Sequence, residues 1–297
     1  MKNIAWKASL IFAVLVSFAF FACSNPVDGA YDGMPGGSSV SIDLSGMDVA
    51  ALMSAIDSKF SEYDNVTLTG TGSGIDDQIE LDIPANKTLT WKADYTSSGT
   101  MGYLIELTGA GNFVMANGGK IESSTVRIMD LIRGFTGTII IEPGAIIKSV
   151  NSTSGARCIY VLGGGTVIVK GGTIEALTYA ITTGGASNAS VFIESGNISG
   201  NSSYYSIIVG GNSTLAIRGG VFTNSSGGAI VSLESSAKVY VAGSPSIADN
   251  KIVRQSSAVG YYTGDHLAKF NTTTPNHFTV NTNLFEEETA PAWAVRN

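Results

Sequence analysis

Short apolar stretches recur along this chain about every 24 residues, each followed by a polar residue and two small ones. The clearest copy is Val167-Ile168-Val169-Lys170-Gly171-Gly172-Thr173-Ile174. The same order returns at 191–198 and 215–222, and more loosely at 114–121, 139–146 and 239–246. The second small residue of each copy falls at 119, 144, 172, 196, 220 and 244. Degenerate copies extend backward through 89–94 and 66–71. Alternate residues in these stretches point to opposite sides, the period of a β-strand. Each period holds a second apolar pair upstream: Leu104-Ile105, Leu131-Ile132, Cys158-Ile159, Ala180-Ile181, Ser206-Ile207 and Ala229-Ile230. About three short strands per period, joined by turns, are therefore predicted.

Three such strands do not make a stable sheet alone. If each period is one turn of a solenoid, every strand pairs in parallel with its copies above and below, and inward Val, Ile and Leu stack in columns. About eight coils at the ~4.8 Å strand spacing give a rod near 38 Å long. Repeats this short leave no room for crossover helices, a propeller blade needs about 40–50 residues, and the leucine-rich pattern is missing. The pattern resembles the right-handed parallel β-helix of pectate-lyase-like and adhesin-like proteins, over about residues 66–250. An all-β, right-handed parallel β-helix solenoid is thus expected across 41–250, with covers at its ends because an open end exposes strand edges. Residues 45–60 fit a helix with Val49, Leu52, Met53, Ile56 and Phe60 on one face, Ser45 as its N-cap and Asp48 three residues on. A helix followed by Asn65-Val66-Thr67-Leu68 resembles the N-terminal cap of pectin-lyase-like folds. Residues 251–297 break the period and carry Phe270, Phe278, Phe285 and Trp293, enough apolar bulk for an irregular C-terminal cap.

Composition agrees. The 297 residues include 36 Gly, and only 14% are charged. Glycine at recurring corners supplies positive φ. The net charge of −7 argues against nucleic acid as a partner, since such binders need Lys and Arg to displace counterions. The first residues have the layout of a secretory signal: Lys2 and Lys7, then an apolar run over 8–21, too short for a comfortable membrane span. Ala22-Cys23 after Phe20-Phe21 resembles the lipobox of bacterial lipoproteins, with Phe20 where Leu is usual. That resemblance implies cleavage after residue 22, a lipidated Cys23 as the membrane anchor, and a place in the cell envelope, at the outer membrane or cell surface. Residues 23–40, rich in Gly, Ser and Pro, read as a flexible tether. Cys158 remains as a lone thiol. Ala180, Ser206 and Ala229 stand in its place in later repeats, which makes it a small buried packing residue.

Stacking turns sequence positions into surface columns. Two residues before the anchor the chain reads Lys92, Asn117, Glu142, Lys170, Glu194, Arg218 and Ala242. Glu142, Lys170, Glu194 and Arg218 alternate in sign, which predicts a structural charge ladder, since a catalytic row gathers like charges. Two residues before the inward Ile of the other strand stand Tyr103, Asp130, Arg157, Tyr179, Tyr205 and Gly228. A corner just before that strand would turn this column outward, where Tyr, Arg and Asp suit sugar rings or a protein surface. Asp76, Asp77, Glu80 and Asp82 lie in a Gly-rich loop whose oxygens could hold Ca²⁺, but the spacing matches no EF-hand and reads as a solvated acidic loop. His266 with Asp265, and His277 near Glu286, Glu287 and Glu288, have no metal-site spacing. No cofactor is expected.

Two functions follow. The first is a monomeric, non-catalytic adhesin or binding scaffold, held at the membrane by its lipid, for a glycan or a host or matrix protein. The second is a polysaccharide lyase or glycoside hydrolase. Glu122 and Glu175 share a register with Ile147 between them, and so lie about 10 Å apart, a spacing that suits an inverting pair.

Overall fold

The computed structural model divides the chain into two units, Met1–Pro35 and Gly36–Asn297. It describes residues 37–74, 78–99, 102–131, 135–153, 155–184, 188–201, 205–225, 227–247, 251–254, 261–263 and 277–279. The signal, Cys23 and most of the tether lie outside these residues. So do Asp76, Asp77, Phe270, Phe285, Trp293, His266 with Asp265, and Glu286 to Glu288.

The described residues form a parallel β-solenoid of about eight coils. Each full coil contributes one strand to each of three long sheets, termed A, B and C in chain order. The coil containing Thr166–Val169 in sheet A, Thr173–Ala176 in sheet B and Tyr179–Thr183 in sheet C is typical. Among the described residues, pairing is parallel between successive coils, and one antiparallel contact, His277–Thr279 on Lys251–Arg254, ends sheet C. The degenerate copies at 66–71 and 89–94 are coils as expected, pairing Asn65–Thr69 with Thr88–Trp91.

The interior is built from stacked columns. In sheet A, Phe113, Ile139, Val167, Val191 and Leu215 follow one another in register, all essentially inaccessible. In sheet B the column runs Tyr95, Ile121, Ile147, Ile174, Ile198 and Phe222. Each coil leaves apolar groups bare above and below, so burial is completed only by its neighbours. Sheet A departs from simple alternation: outward Val114, Ile140, Ile168 and Tyr240 are buried as well. Its strands accordingly read as unbroken apolar runs.

Glycine with positive φ stands at the corner from sheet A to sheet B in six successive coils, at Gly118, Gly144, Gly172, Gly196, Gly220 and Gly243. Gly172 shows why: at φ 76° it lies so close to the coil below that a Cβ would come within 2.6 Å of the Ala145 carbonyl oxygen.

The capping helix is Val49–Glu62. Its N-cap is Asp48 and not Ser45: the Asp48 carboxylate accepts the Ala51 N–H at 2.7 Å, whereas Ser45 Oγ accepts the Thr71 N–H. Leu52, Ile56 and Phe60 are buried, with Val49 and Met53 packed against the same core. A strand, Ser39–Asp43, precedes the helix and pairs with Asn65–Thr69, so ordered chain starts before residue 41.

Register corrects the alignment of two repeats. Met129 pairs with Ile105 and Ile159, so Ile128-Met129 occupies the place expected for Leu131-Ile132. Val231 pairs with Ile207, so Ile230-Val231 replaces Ala229-Ile230. The reason is packing. Met129 and Leu131 stand two apart and fill both inward columns of sheet C at once, whereas the expected alignment leaves Met129 without a place.

Candidate functional site

The most chemically loaded surface lies where sheet B turns into sheet C. Arg127, Arg157 and Tyr179 pair in register, Tyr205 follows on the next coil, and Tyr103 precedes on the coil below. All five are half-buried. The register break just after this column marks the corner: Cys158 turns inward, and Arg157 is left on the outside. Cys158 donates its thiol to the Glu175 carbonyl at 3.0 Å, and complete burial pushes it up to about 12. It is inert packing, as expected. Ile230, and not Ala229, stands in its column.

Asp130 is not a member of this column. Arg127 holds the place expected for it. Asp130 lies three residues on, in a second outward column that reads Glu80, Glu106, Asp130, Tyr160 and Thr182 on five successive coils. The two columns together make a grid: Tyr103 beside Glu106, Arg127 beside Asp130, Arg157 beside Tyr160, Tyr179 beside Thr182.

Contacts knit the grid together. Arg127 Nη1 meets Asp130 Oδ2 at 2.6 Å, and Arg127 Nε donates to the Gly102 carbonyl at 3.0 Å. The Arg157 guanidinium lies 4.1 Å from the centre of the Tyr160 ring. Tyr103 donates to Glu80 at 3.5 Å; burial first, then Glu106 and Glu80, push its phenol up. Asp130 is 1% exposed. Burial pushes its carboxyl up, against the pull of Arg127, and Glu106 adds to the rise. Burial pulls Arg157 down. Three buried polar atoms of the grid have no hydrogen-bond partner: Asp130 Oδ1, Arg157 Nε and Thr182 Oγ1.

The other expected sites fall elsewhere. Glu122 and Glu175 do share a column, but Lys148 and not Ile147 stands between them, 3.4 Å from Glu175. Lys120 approaches Glu122 at 3.6 Å. On sheet A the ladder holds where Lys170 meets Glu142 at 3.1 Å. Backbone bonds place Ala116, and not Asn117, below Glu142. Glu194 and Arg218 occupy the next two coils, Arg218 lying 5.6 Å from the Tyr240 ring. Asp82 accepts from Thr108 at 3.1 Å, and Glu80 belongs to the grid. Among the described residues, no group of three or more His, Cys, Asp or Glu is arranged to hold a metal ion, and no helix is long and apolar enough to cross a membrane.

Sequence reasoning missed Arg127, Glu106, Tyr160 and Thr182. The signal was present in the spacing. Residues Glu106, Asp130 and Tyr160 each stand one position after an inward apolar residue of sheet C, and become a column only with the corrected alignment. Comparison with known proteins adds nothing to this geometry: no family model, curated protein or solved structure matches the chain.

Proposed function

We propose that this protein is a monomeric, lipid-anchored glycan-binding protein of the bacterial cell envelope, a right-handed β-helix that binds without catalysis at its sheet B–C corner. One observation carries the reading: Tyr103, Arg127, Arg157, Tyr179 and Tyr205 stand half-exposed on five consecutive coils. Aromatic faces and guanidinium planes repeated at about 4.8 Å present one platform per coil to a linear chain of sugar rings. A rigid solenoid holds these platforms without ordering cost on binding. Anchoring by an acylated Cys23 suits a binding protein that works at a surface.

Cleavage is less well supported. The Glu122–Glu175 pair is interleaved by Lys148, which ion-pairs with Glu175 and sets a cation between the two carboxylates. Glu106 and Asp130 are adjacent, but Asp130 is shielded from solvent and ion-paired with Arg127, out of reach of a scissile bond.

A glycan array tests the proposal. The protein is expected to retain a defined set of sugars, and Tyr179→Ala with Tyr205→Ala to lose them with an unchanged melting temperature. Release of new reducing ends, binding to a matrix protein in place of any sugar, or an array with no retained glycan overturns it. Palmitate labelling that disappears in Cys23→Ala supports the anchor, and labelling that persists refutes it.

A further inference from the structure

The three sheets end differently at the N-terminal end of the solenoid. The capping helix packs on Ser39–Asp43 and Asn65–Thr69 of sheet A and on Ile79–Ile83 of sheet C. Sheet B ends on Thr71–Gly74, whose one described strand neighbour is Asp94–Ser97. Alternate residues of a parallel strand turn their N–H and C=O to opposite edges. The Gly70 and Gly74 carbonyls accept from Asp94 and Ser98, so Gly70, Gly72 and Gly74 face the sheet, and Thr71 and Ser73 face away from it. Ser45 Oγ takes the Thr71 N–H at 3.0 Å. The Ser73 N–H and the carbonyls of Thr71 and Ser73 have no partner among the described residues.

The path of the first coil explains this free edge. It keeps register with the second as far as Leu44, whose N–H reaches the Thr69 carbonyl, and then turns, Met47 donating back to Leu44, to start the helix. The place of a strand beneath Thr71–Gly74 is left as an open recess of about 740 Å³, lined by Gly46, Met47, Asp48 and the strand itself. Leu44 and Tyr95 fill the space that side chains at Gly72 and Gly74 would need, so the interior behind the strand is already closed. What the recess offers is backbone. Exposed strand edges are ordinarily blunted by Lys, Pro or a bulge. Thr71-Gly72-Ser73-Gly74 has no Lys or Pro.

The rim is acidic. The Asp43 carboxylate lies against Gly70, just before the strand, Asp48 lines the recess, and Asp94 stands beside Thr71 in register. Lys120 meets Asp94 at 3.6 Å. Asp43 and Asp48 accept the Ser45 and Ala51 N–H groups and form no ion pair among the described residues. Lys92 stands two strand spacings above Asp43. A second copy of this chain on the same edge would bring like carboxylates face to face. We propose that Thr71–Gly74 takes an added strand from a partner protein, an extended segment carrying Lys or Arg. Its backbone pairs with the Ser73 N–H and the Thr71 and Ser73 carbonyls, and its cations meet Asp43 and Asp48. The site is separate from the sheet B–C corner and does not depend on glycan binding.

Fluorescence anisotropy of the full chain with a labelled peptide of alternating Val and Lys, against its Val–Glu counterpart, tests the proposal. The Val–Lys peptide is expected to bind more tightly. Ser73→Pro removes an N–H that bonds nothing in the fold, and so is expected to fold while lowering affinity about 10-fold. Asp43→Asn keeps an acceptor for Ser45 and is expected to lower affinity for the Val–Lys peptide alone. In hydrogen exchange the Ser73 amide is expected to be open in the free protein and protected when the Val–Lys peptide is bound. Equal or tighter binding of the acidic peptide, no binding of either, wild-type affinity in either variant, or a Ser73 amide that stays open at saturation overturns the proposal. A dimer in sedimentation that Ser73→Pro dissolves gives the edge to a second copy and overturns it as well.

Discussion

Two outward columns of carboxylates run up this solenoid, and they are built on opposite rules. On sheet B, Glu122, Lys148 and Glu175 alternate in sign, with Lys120 set between Asp94 and Glu122 at 3.6 Å from each. On sheet C, Glu80, Glu106 and Asp130 follow one another with no cation between them. Opposite charges across adjacent strands help by about 0.2–1 kcal/mol, and like charges oppose folding by similar amounts. The first column stabilises the rod. The second is tolerated against that trend, with Arg127 bonded to its last carboxylate and orphaned polar atoms beside it. On the reading proposed above, a departure of this kind is where a binding surface is expected, and the contrast separates scaffold from proposed site within one repeated fold.

Both columns hang from the same inward stacks, so core damage removes the difference. Ile159 is fully buried between Arg157 and Tyr160 in sequence; Ile159→Ala is expected to destabilise by about 2–5 kcal/mol in denaturant titration and to abolish sugar binding. A loss under about 1 kcal/mol would show that this coil does not depend on its stack. A smaller change follows from pH. The raised Asp130 carboxyl holds its proton more firmly when folded than an ordinary aspartate near 3.8, so the folded state binds more protons above that pH. Its contribution to stability therefore falls as pH rises from about 4, and Asp130→Asn is expected to flatten the decline in melting temperature. An unaltered pH profile removes Asp130 as its source.

The columns can also be exchanged. Lys148→Glu places three carboxylates in a row on sheet B and is expected to destabilise by about 1 kcal/mol with binding intact. Glu106→Lys makes sheet C alternate, and is expected to stabilise by a few tenths of a kcal/mol while weakening sugar binding. If Glu106→Lys destabilises instead, the like-charge column is not in conflict with folding and the contrast loses its meaning.

Much of the scaffold was legible in the sequence. The period from Val167 to Leu215, the corner glycines and the helix face of Leu52, Ile56 and Phe60 were read correctly, because each follows from a local rule repeated without interruption. The site was legible only in part. Tyr103, Arg157, Tyr179 and Tyr205 were found at their outward corner, but Asp130 was assigned to the wrong column, and the Glu122–Glu175 pair was read without Lys148. The errors have two causes. The connections around 117–118 and 142–145 hold one residue more than the repeat they were aligned to, and one residue reverses which side a side chain faces, which puts Ile147 in the place of Lys148. Asp130 is displaced because Ile128-Met129, three residues before Leu131-Ile132, fills the sheet C columns.

The sequence by itself determined the solenoid: its period, its three strands per coil and the glycine at its corner. These depend on residue type and spacing along one strand at a time. Only the tertiary structure decided which charges became neighbours and which polar atoms were sealed from water. Those properties belong to pairs of residues about 24 positions apart, and their register is set by how Met129 and Leu131 fill the inward columns between Ile105 and Leu107 on one side and Ile159 and Val161 on the other. Apolar burial fixed the alignment of the coils. The sheet C carboxylates, arginines and tyrosines met as its consequence.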